Sequence, residues 1–350
     1  MKRFASIGRA LGNAVISLFG VSVLSFVLLR LTPGDPVGLV LGPFATSDAR
    51  RRLTEQMGLD RPVWQQYLDY LGAIAHGDLG YSYASSQSVA TLLAQRVPAT
   101  LEIGLCAVVI TVVGATVFAV LKTLVRVRLV RAVLDGISFL SLSVPQFWLA
   151  LLLLLVFSEW LGITPGPQGR ISPSLEPPAT ITGLYSVDSL LRGQWTVFAD
   201  VIAHLVLPSV ALALYGTAFL GRVMYANLDV HARSSIVTAS RLRGLTRSRA
   251  VLRHALPNAL VPSVTAAGVL VGGLLTASVL IEGVFVWPGV GAAVTNGIQK
   301  QDYSVVQAFI LISAAIVIII NLVAELIAAR IDPRVRDAQS RHNSSRIEVT

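Results

Sequence analysis

The most organised chemistry in this 350-residue chain lies in one polar stretch, Ser234-Ser235-Ile236-Val237-Thr238-Ala239-Ser240-Arg241-Leu242-Arg243-Gly244-Leu245, followed by residues 246–254 and then Ala255-Leu256-Pro257. Small side chains at Thr238, Ala239 and Ser240 let another surface approach closely, while Arg241, Arg243 and Arg247 supply charged donors. Gly244 suits the left-handed conformation that ends a short helix, Thr246 or Ser248 can cap a second, and Pro257 restricts how that helix joins the next element. A helix, a stop and a helix of this kind can dock in a groove of another protein. An arginine-rich loop that only touches lipid headgroups fits the same charges, and charge alone favours that plainer reading.

Bond-making chemistry finds no comparable residues. A nucleotide-binding Gly-x-x-x-x-Gly-Lys-Ser/Thr loop needs a lysine after glycine, and none of the three lysines, Lys2, Lys122 and Lys300, has one. Any ATP must therefore sit on another chain. Gly-x-Ser-x-Gly, His-Glu-x-x-His and Cys-x-x-Cys are absent, the five histidines are scattered, and the single Cys106 excludes an intrachain disulfide. The expectation is a protein that is not an enzyme and binds no metal or cofactor of its own.

The elements that carry this segment follow from composition. With 54% apolar and 13% charged residues, the chain has about half the charge of an ordinary globular protein, and its mean hydropathy is +0.69. The net charge of +9 therefore points to a bilayer and its lipids rather than to nucleic acid. Six windows free of Asp, Glu, Lys and Arg are long enough to cross about 30 Å of hydrocarbon: 10–29, 103–121, 136–158, 201–221, 254–281 and 303–324. Only helices satisfy their own backbone there, so an all-α membrane bundle is expected.

Loop charge orients the bundle. With the N-terminus inside, 19 of the 28 Lys and Arg fall on inner segments, leaving +13 inside and −4 outside, so both termini are expected in the cytoplasm. The first window reads as an uncleaved helix, because its apolar run exceeds a signal sequence and no Ala-x-Ala site follows. Two outer segments are long. In the first, short amphipathic helices are expected over residues 48–57 and 63–76, after the start signals Thr46/Ser47 and Pro62. The second, 159–200, carries Pro165, Pro167, Pro173, Pro177 and Pro178 and is expected to be a surface loop.

Charged groups near the windows, Glu102, Asp135, Glu282 and Glu325, read as border residues reached by water or headgroups. His204 reads as packed or interfacial rather than as a proton relay. An ion-gradient carrier, the alternative from a different class, is weakened by the lack of a mid-helix carboxylate. In the fifth window, Gly268-x-x-x-Gly272 with Gly273 favours close helix approach and is expected to face a helix of a second subunit.

The spacing of Thr238-Ala239-Ser240, Gly244 and Leu256-Pro257 resembles the EAA loop of ABC importer permeases, with Thr238, Ser240 and His254 replacing an acid, an alanine and an isoleucine. These departures look like the dipeptide/oligopeptide/nickel branch, in its B-type subunits. Phe19-Gly20-Val21-Ser22, Arg30-Leu31-Thr32-Pro33-Gly34-Asp35-Pro36 and Gly77-Asp78-Leu79-Gly80-Tyr81-Ser82 are similar to that branch. So are Arg96-Val97-Pro98-Ala99-Thr100-Leu101-Glu102, Ser143-Val144-Pro145-Gln146-Phe147-Trp148, Glu282-Gly283-Val284-Phe285-Val286-Trp287-Pro288-Gly289 and Asp332-Pro333-Arg334.

The resemblance implies a type I importer fold: an N-terminal helix over 1–31, an extracytoplasmic segment over 32–96, a five-helix transmembrane domain over 97–330 and a cytoplasmic tail over 331–350. It further implies a second permease, two cytoplasmic ATPases (or one fused) that bind ATP and magnesium, and an extracytoplasmic binding protein. The residues around Thr238, Ala239, Ser240, Arg241, Gly244, Leu256 and Pro257 would couple to the ATPases, and Glu282 and Trp287 would shape an outer gate, although interfacial anchoring explains the Trp equally well. Peptide is the implied substrate, with nickel or another small solute as the alternative.

Overall fold

The computed structural model describes residues 2–31, 36–42, 44–82 and 84–331. Thr32, Pro33, Gly34 and Asp35, the Asp332-Pro333-Arg334 motif and the remainder of the tail lie outside the described residues. In chain order the helices are α1 (Lys2–Leu31), α2 (Pro36–Leu41), α3 (Ser47–Gln56) and α4 (Val63–Ala75), followed by two short strands, β1 (Tyr81–Ser82) and β2 (Gln87–Ser88). Next come α5 (Val89–Leu124), α6 (Arg128–Ser143) and α7 (Gln146–Leu153), which runs on as a π-helical turn, Leu154–Trp160. Then follow α8 (Tyr185–Leu191), α9 (Trp195–Ala232), α10 (Ser235–Leu242), α11 (Arg247–Ala250), a second π turn (Val251–Ala255), α12 (Leu256–Val284), α13 (Val290–Gln299) and α14 (Tyr303–Ile331).

Helix α3 starts at the Thr46 cap, whose hydroxyl accepts from the Ala49 amide at 3.3 Å, and α4 starts after Pro62, as the start signals require. Among the described residues, three helices are continuous, apolar and long enough to cross a bilayer: α5, α9 and Tyr303–Val323 of α14. In α1 the apolar stretch is Gly12–Leu28.

The window 136–158 is not one helix. It breaks between α6 and α7, and the two parts are bent by 116°. Pro145 is the cause: its ring disfavours helical geometry at Val144, which adopts φ −98° and ψ 136°. The fifth window is bent more mildly, by 50° between Arg247–Leu260 and Pro262–Leu274. The segment 159–200 is also more ordered than its prolines suggest. Residues 161–184 lack helix, but α8 and the start of α9 lie within it.

Two compact units make up the chain. The first comprises Met1–Glu102, Gln168–Val201 and Phe285–Ile316. Its core sets Val89, Leu92 and Leu93 of α5 against Val290, Ala293 and Val294 of α13 and Val305 and Ala308 of α14. The antiparallel β1–β2 ladder is fastened here: Asp302 accepts from the Ser82 hydroxyl at 2.7 Å and from the Ala84 amide at 3.1 Å. Helix α4 lies on α1, with Tyr67 edge-on to Phe26 at 5.2 Å and hydrogen bonded to Ser22.

The second unit comprises Ile103–Pro167, Ile202–Val284 and Val317–Thr350. Its helices meet through small residues: a Cβ on Gly221 would lie 2.8 Å from Phe118, and one on Gly216 would lie 2.9 Å from Thr111 and Leu270. Its core joins Ala115 and Ala119 of α5 to Leu220, Met224 and Leu228 of α9, and extends to Val237, Ala250, Val251, Ala255 and Ala259.

Candidate functional site

Helix α10 is fixed to the second unit by a narrow face. Val237 and Ser240, three residues apart, are its buried positions, and Val237 enters the core formed by α5 and α9. Ile236, Ala239 and Leu242 face outward; Leu242 is 85% exposed. Thr238 and Arg241 are exposed as well, and Thr238 Oγ1 donates to the Ser234 carbonyl at 3.2 Å.

Gly244 ends the helix as its sequence requires. With φ at +91°, its amide donates to the Arg241 carbonyl at 3.0 Å, and the Leu245 amide donates to Ser240 at 3.2 Å. These paired bonds satisfy the last carbonyls of α10 and turn the chain into α11. Thr246, rather than Ser248, is the cap, its hydroxyl accepting from the Arg249 amide. Arg247 reaches back to the Thr123 carbonyl of α5 at 3.2 Å.

Between α11 and α12 the helix widens. The Leu256 amide donates to Val251, five residues back, and Pro257 follows with no amide to give to the carbonyl of Arg253. Leu256 packs on the same core, whereas Pro257 is exposed. The segment singled out by spacing is thus an outward-facing helix bolted through Val237, Ala250, Val251 and Ala255 to membrane-length helices. Through that shared core α10 is packed as one body with α5, α9 and the start of α12.

Of the other candidate residues, Gly268, Glu282 and Trp287 are buried. Gly268 is buried, and a Cβ on Gly272 would lie 3.1 Å from Val317, so the close approach at Gly272 is made by this chain's own α14. Gly273 faces open space. Glu282 is fully buried in the last turn of α12. Trp287 is 1% exposed and donates its indole N–H to the Ala99 carbonyl at 2.9 Å, which replaces interfacial anchoring with a buried structural bond.

Glu102 is no border residue either. It sits within α5 at 2% exposure and accepts from Arg170 at 2.7 Å and from the Ser186 amide at 2.7 Å. Arg170 also donates to the Gly183 carbonyl, and its guanidinium lies 3.5 Å above the Tyr185 ring. Gly183, at φ +82°, packs so tightly on Pro98 that a Cβ would come within 2.8 Å. Sequence reasoning missed Arg170, because nothing local ties a cation in a proline-rich stretch to a carboxylate 68 positions earlier.

Asp188 completes this cluster. Burial raises its carboxyl, but the Thr182 hydroxyl and the backbone amides of Thr182, Ile181 and Gly183 outweigh burial and hold it below the ordinary carboxylate range. A lowered folded value means stability that is present above the ordinary carboxylate pKa and lost as pH falls through the folded one. Asp188→Asn, which puts an NH2 toward backbone donors, is expected to cost about 1–3 kcal/mol at pH 7. That deficit should shrink as pH falls below about 4, which thermal midpoints of the detergent-solubilised chain at several pH values will read.

Comparisons with known proteins place the chain in a family. Residues 113–337 match the family described as "Binding-protein-dependent transport system inner membrane component", and residues 1–104 match its N-terminal companion family. The dipeptide transport system permease protein DppB of Escherichia coli (strain K12) is 35% identical over 332 residues, covering 94% of this chain and 97% of that protein. The di/tripeptide transport system permease protein DppB of Pseudomonas aeruginosa (strain UCBPP-PA14) is 37% identical, covering 94% and 98%. The oligopeptide transport system permease protein AppB of Bacillus subtilis (strain 168) is 33% identical, covering 91% and 95%. An outward helix anchored to membrane-length spans, together with matches that run nearly end to end, leads to one conclusion: the chain belongs to the family of inner membrane components of binding-protein-dependent transport systems, as a multi-pass permease of the ABC importer class.

Proposed function

We propose that this chain forms half of the translocation path of an ATP-driven importer for di- or oligopeptides. The observation that carries the substrate is similarity over more than nine-tenths of the chain to permeases named for dipeptide and oligopeptide transport. In this reading a binding protein delivers the peptide, a second permease supplies the other half of the path, and two ATPases hold ATP and magnesium. Helix α10 receives the ATPase stroke at Ala239 and around Gly244, and the bundle changes between inward- and outward-open packings.

Six spans with both termini in the cytoplasm are part of the proposal. They rest on loop charge, with the bent pairs α6–α7 and α11–α12 each counted as one span and α1 as the first. Labelling intact cells with an impermeant thiol reagent tests the orientation. Ser86→Cys should react from outside and Ser248→Cys, exposed on the neighbouring α11, should not; the reverse pattern removes this topology.

Function is tested by expressing the chain with and without its partners. ATP-dependent uptake of labelled dipeptide should require the ATPases and the binding protein. Uptake by the isolated chain in liposomes under an ion gradient would instead make it a secondary carrier.

A further inference from the structure

From Val230 through Ile281 the sequence contains no Asp or Glu, yet it carries Arg233, Arg241, Arg243, Arg247, Arg249 and Arg253. Arg233 is paired with Asp229 of α9 at 2.8 Å. Among the described residues no carboxylate pairs with Arg241, Arg243 or Arg247, and Arg241 and Arg243 are exposed. The outward face of α10 and α11 is therefore cationic and apolar, with Thr238 where the EAA pattern has an acid.

Between these two helices lies an open depression of about 450 Å3, lined by Thr238, Arg241, Leu242, Gly244, Thr246 and Arg247. One wall carries Arg241 from α10 and the other Arg247 from α11. Arg247 uses one Nη for the Thr123 carbonyl and keeps its remaining N–H groups for other acceptors. The Gly244 turn and the Thr246 cap hold the two walls at a set angle, so the arginines are pre-placed rather than recruited. Leu242, almost fully exposed at the rim, offers an apolar contact beside the charges.

We propose that this depression receives a carboxylate side chain from the partner ATPase, clamped between Arg241 and Arg247 with Leu242 covering its stem. The inference rests on the docking role proposed above and adds the chemistry of the partner: an acidic groove or projecting Asp or Glu, rather than a basic one. Guanidinium–carboxylate pairs are planar and two-pronged, which suits a walled cleft. Anionic lipid headgroups carry the same charge, but a bilayer offers a broad surface of many phosphates, whereas a two-walled hollow of this size selects one protruding group.

The complete importer, with tagged permease, tests this in dodecyl maltoside without added anionic lipid. ATPase retained on the permease is measured as sodium chloride is raised. Wild type should release ATPase with rising salt; Arg241→Gln should retain at least tenfold less at low salt with a flatter dependence, and Arg241→Lys should fall between them. In the Arg241→Glu background, single Asp or Glu to Arg changes across the ATPase surface should restore peptide uptake at one position.

Wild-type retention and salt dependence in Arg241→Gln, or no restoring change anywhere on the ATPases, overturns the carboxylate clamp. If Arg241→Gln keeps its ATPase but loses binding to phosphatidylglycerol vesicles, the cleft serves lipid and the clamp is likewise overturned. Ala239→Glu separates this from the docking reading. If that variant strips ATPase while Arg241→Gln does not, docking stands and the clamp falls; if both retain ATPase, docking itself falls.

Discussion

Ala239→Glu and Gly244→Val should each abolish ATP-dependent uptake while leaving the permease in the membrane at near-normal amounts. Ala239 is exposed on the outward stripe of α10, so a glutamate there meets nothing within this chain and costs little for folding. Under a docked ATPase the same carboxylate is desolvated without a partner, and opposite an acidic surface it is repelled as well, a penalty of several kcal/mol. Gly244 acts differently. A Cβ there meets no atom within 4 Å, so the effect is one of backbone alone: φ at +91° is strained for valine, at a cost of roughly 1–2 kcal/mol, and relief of that strain re-aims α11 relative to α10.

Copurification divides the two variants. Ala239→Glu should lose ATPase, whereas Gly244→Val should keep part of it but hydrolyse ATP without moving peptide. An arginine loop that only meets lipid headgroups would tolerate both changes, since neither removes a positive charge. Wild-type uptake in both would return the segment to that plainer role.

The second large effect lies in the first unit. Glu102→Ala is expected to destabilise the chain by about 3–5 kcal/mol, because it leaves the Arg170 guanidinium buried at 7% exposure without its carboxylate. The Ser186 amide loses its acceptor in the same step. Membrane-inserted protein should fall sharply, and the thermal midpoint of the remainder should drop. The double variant Glu102→Leu with Arg170→Leu should recover much of that loss, since no unpaired charge is left behind. A double variant as unstable as the single one would show that the charge pair is not what holds residues 168–201 to α5.

The local features of the candidate site are legible one residue at a time. Gly244 as a left-handed stop, Thr246 as a cap, and Thr46 and Pro62 as helix starts each depend on chain geometry within a few residues, which the amino acids themselves dictate. Apolar windows mark α5, α9 and α14 for the same reason: a run of side chains without charge is a local property. Spacing marks the proposed coupling segment, yet its anchor is not visible in its own residues. Val237 looks like any apolar residue of a short amphipathic helix until α5 and α9 surround it.

Sequence alone determined a helical membrane protein, its bias of positive charge, and a helix-stop-helix with a small outward face, because composition and short-range stereochemistry suffice for each. Only the tertiary structure decided which polar groups are buried together: Glu102 with Arg170 across 68 positions, Trp287 with Ala99 across 188 and Ser82 with Asp302 across 220. It also decided that the window 136–158 breaks before Pro145 with a bend of 116° and that Gly272 meets α14 of its own chain. A carboxylate at the end of an apolar window reads as solvated when its neighbours in sequence are all that is known. Whether water or a guanidinium satisfies it depends on which distant segment the packing of helices brings alongside, and no local pattern encodes that choice.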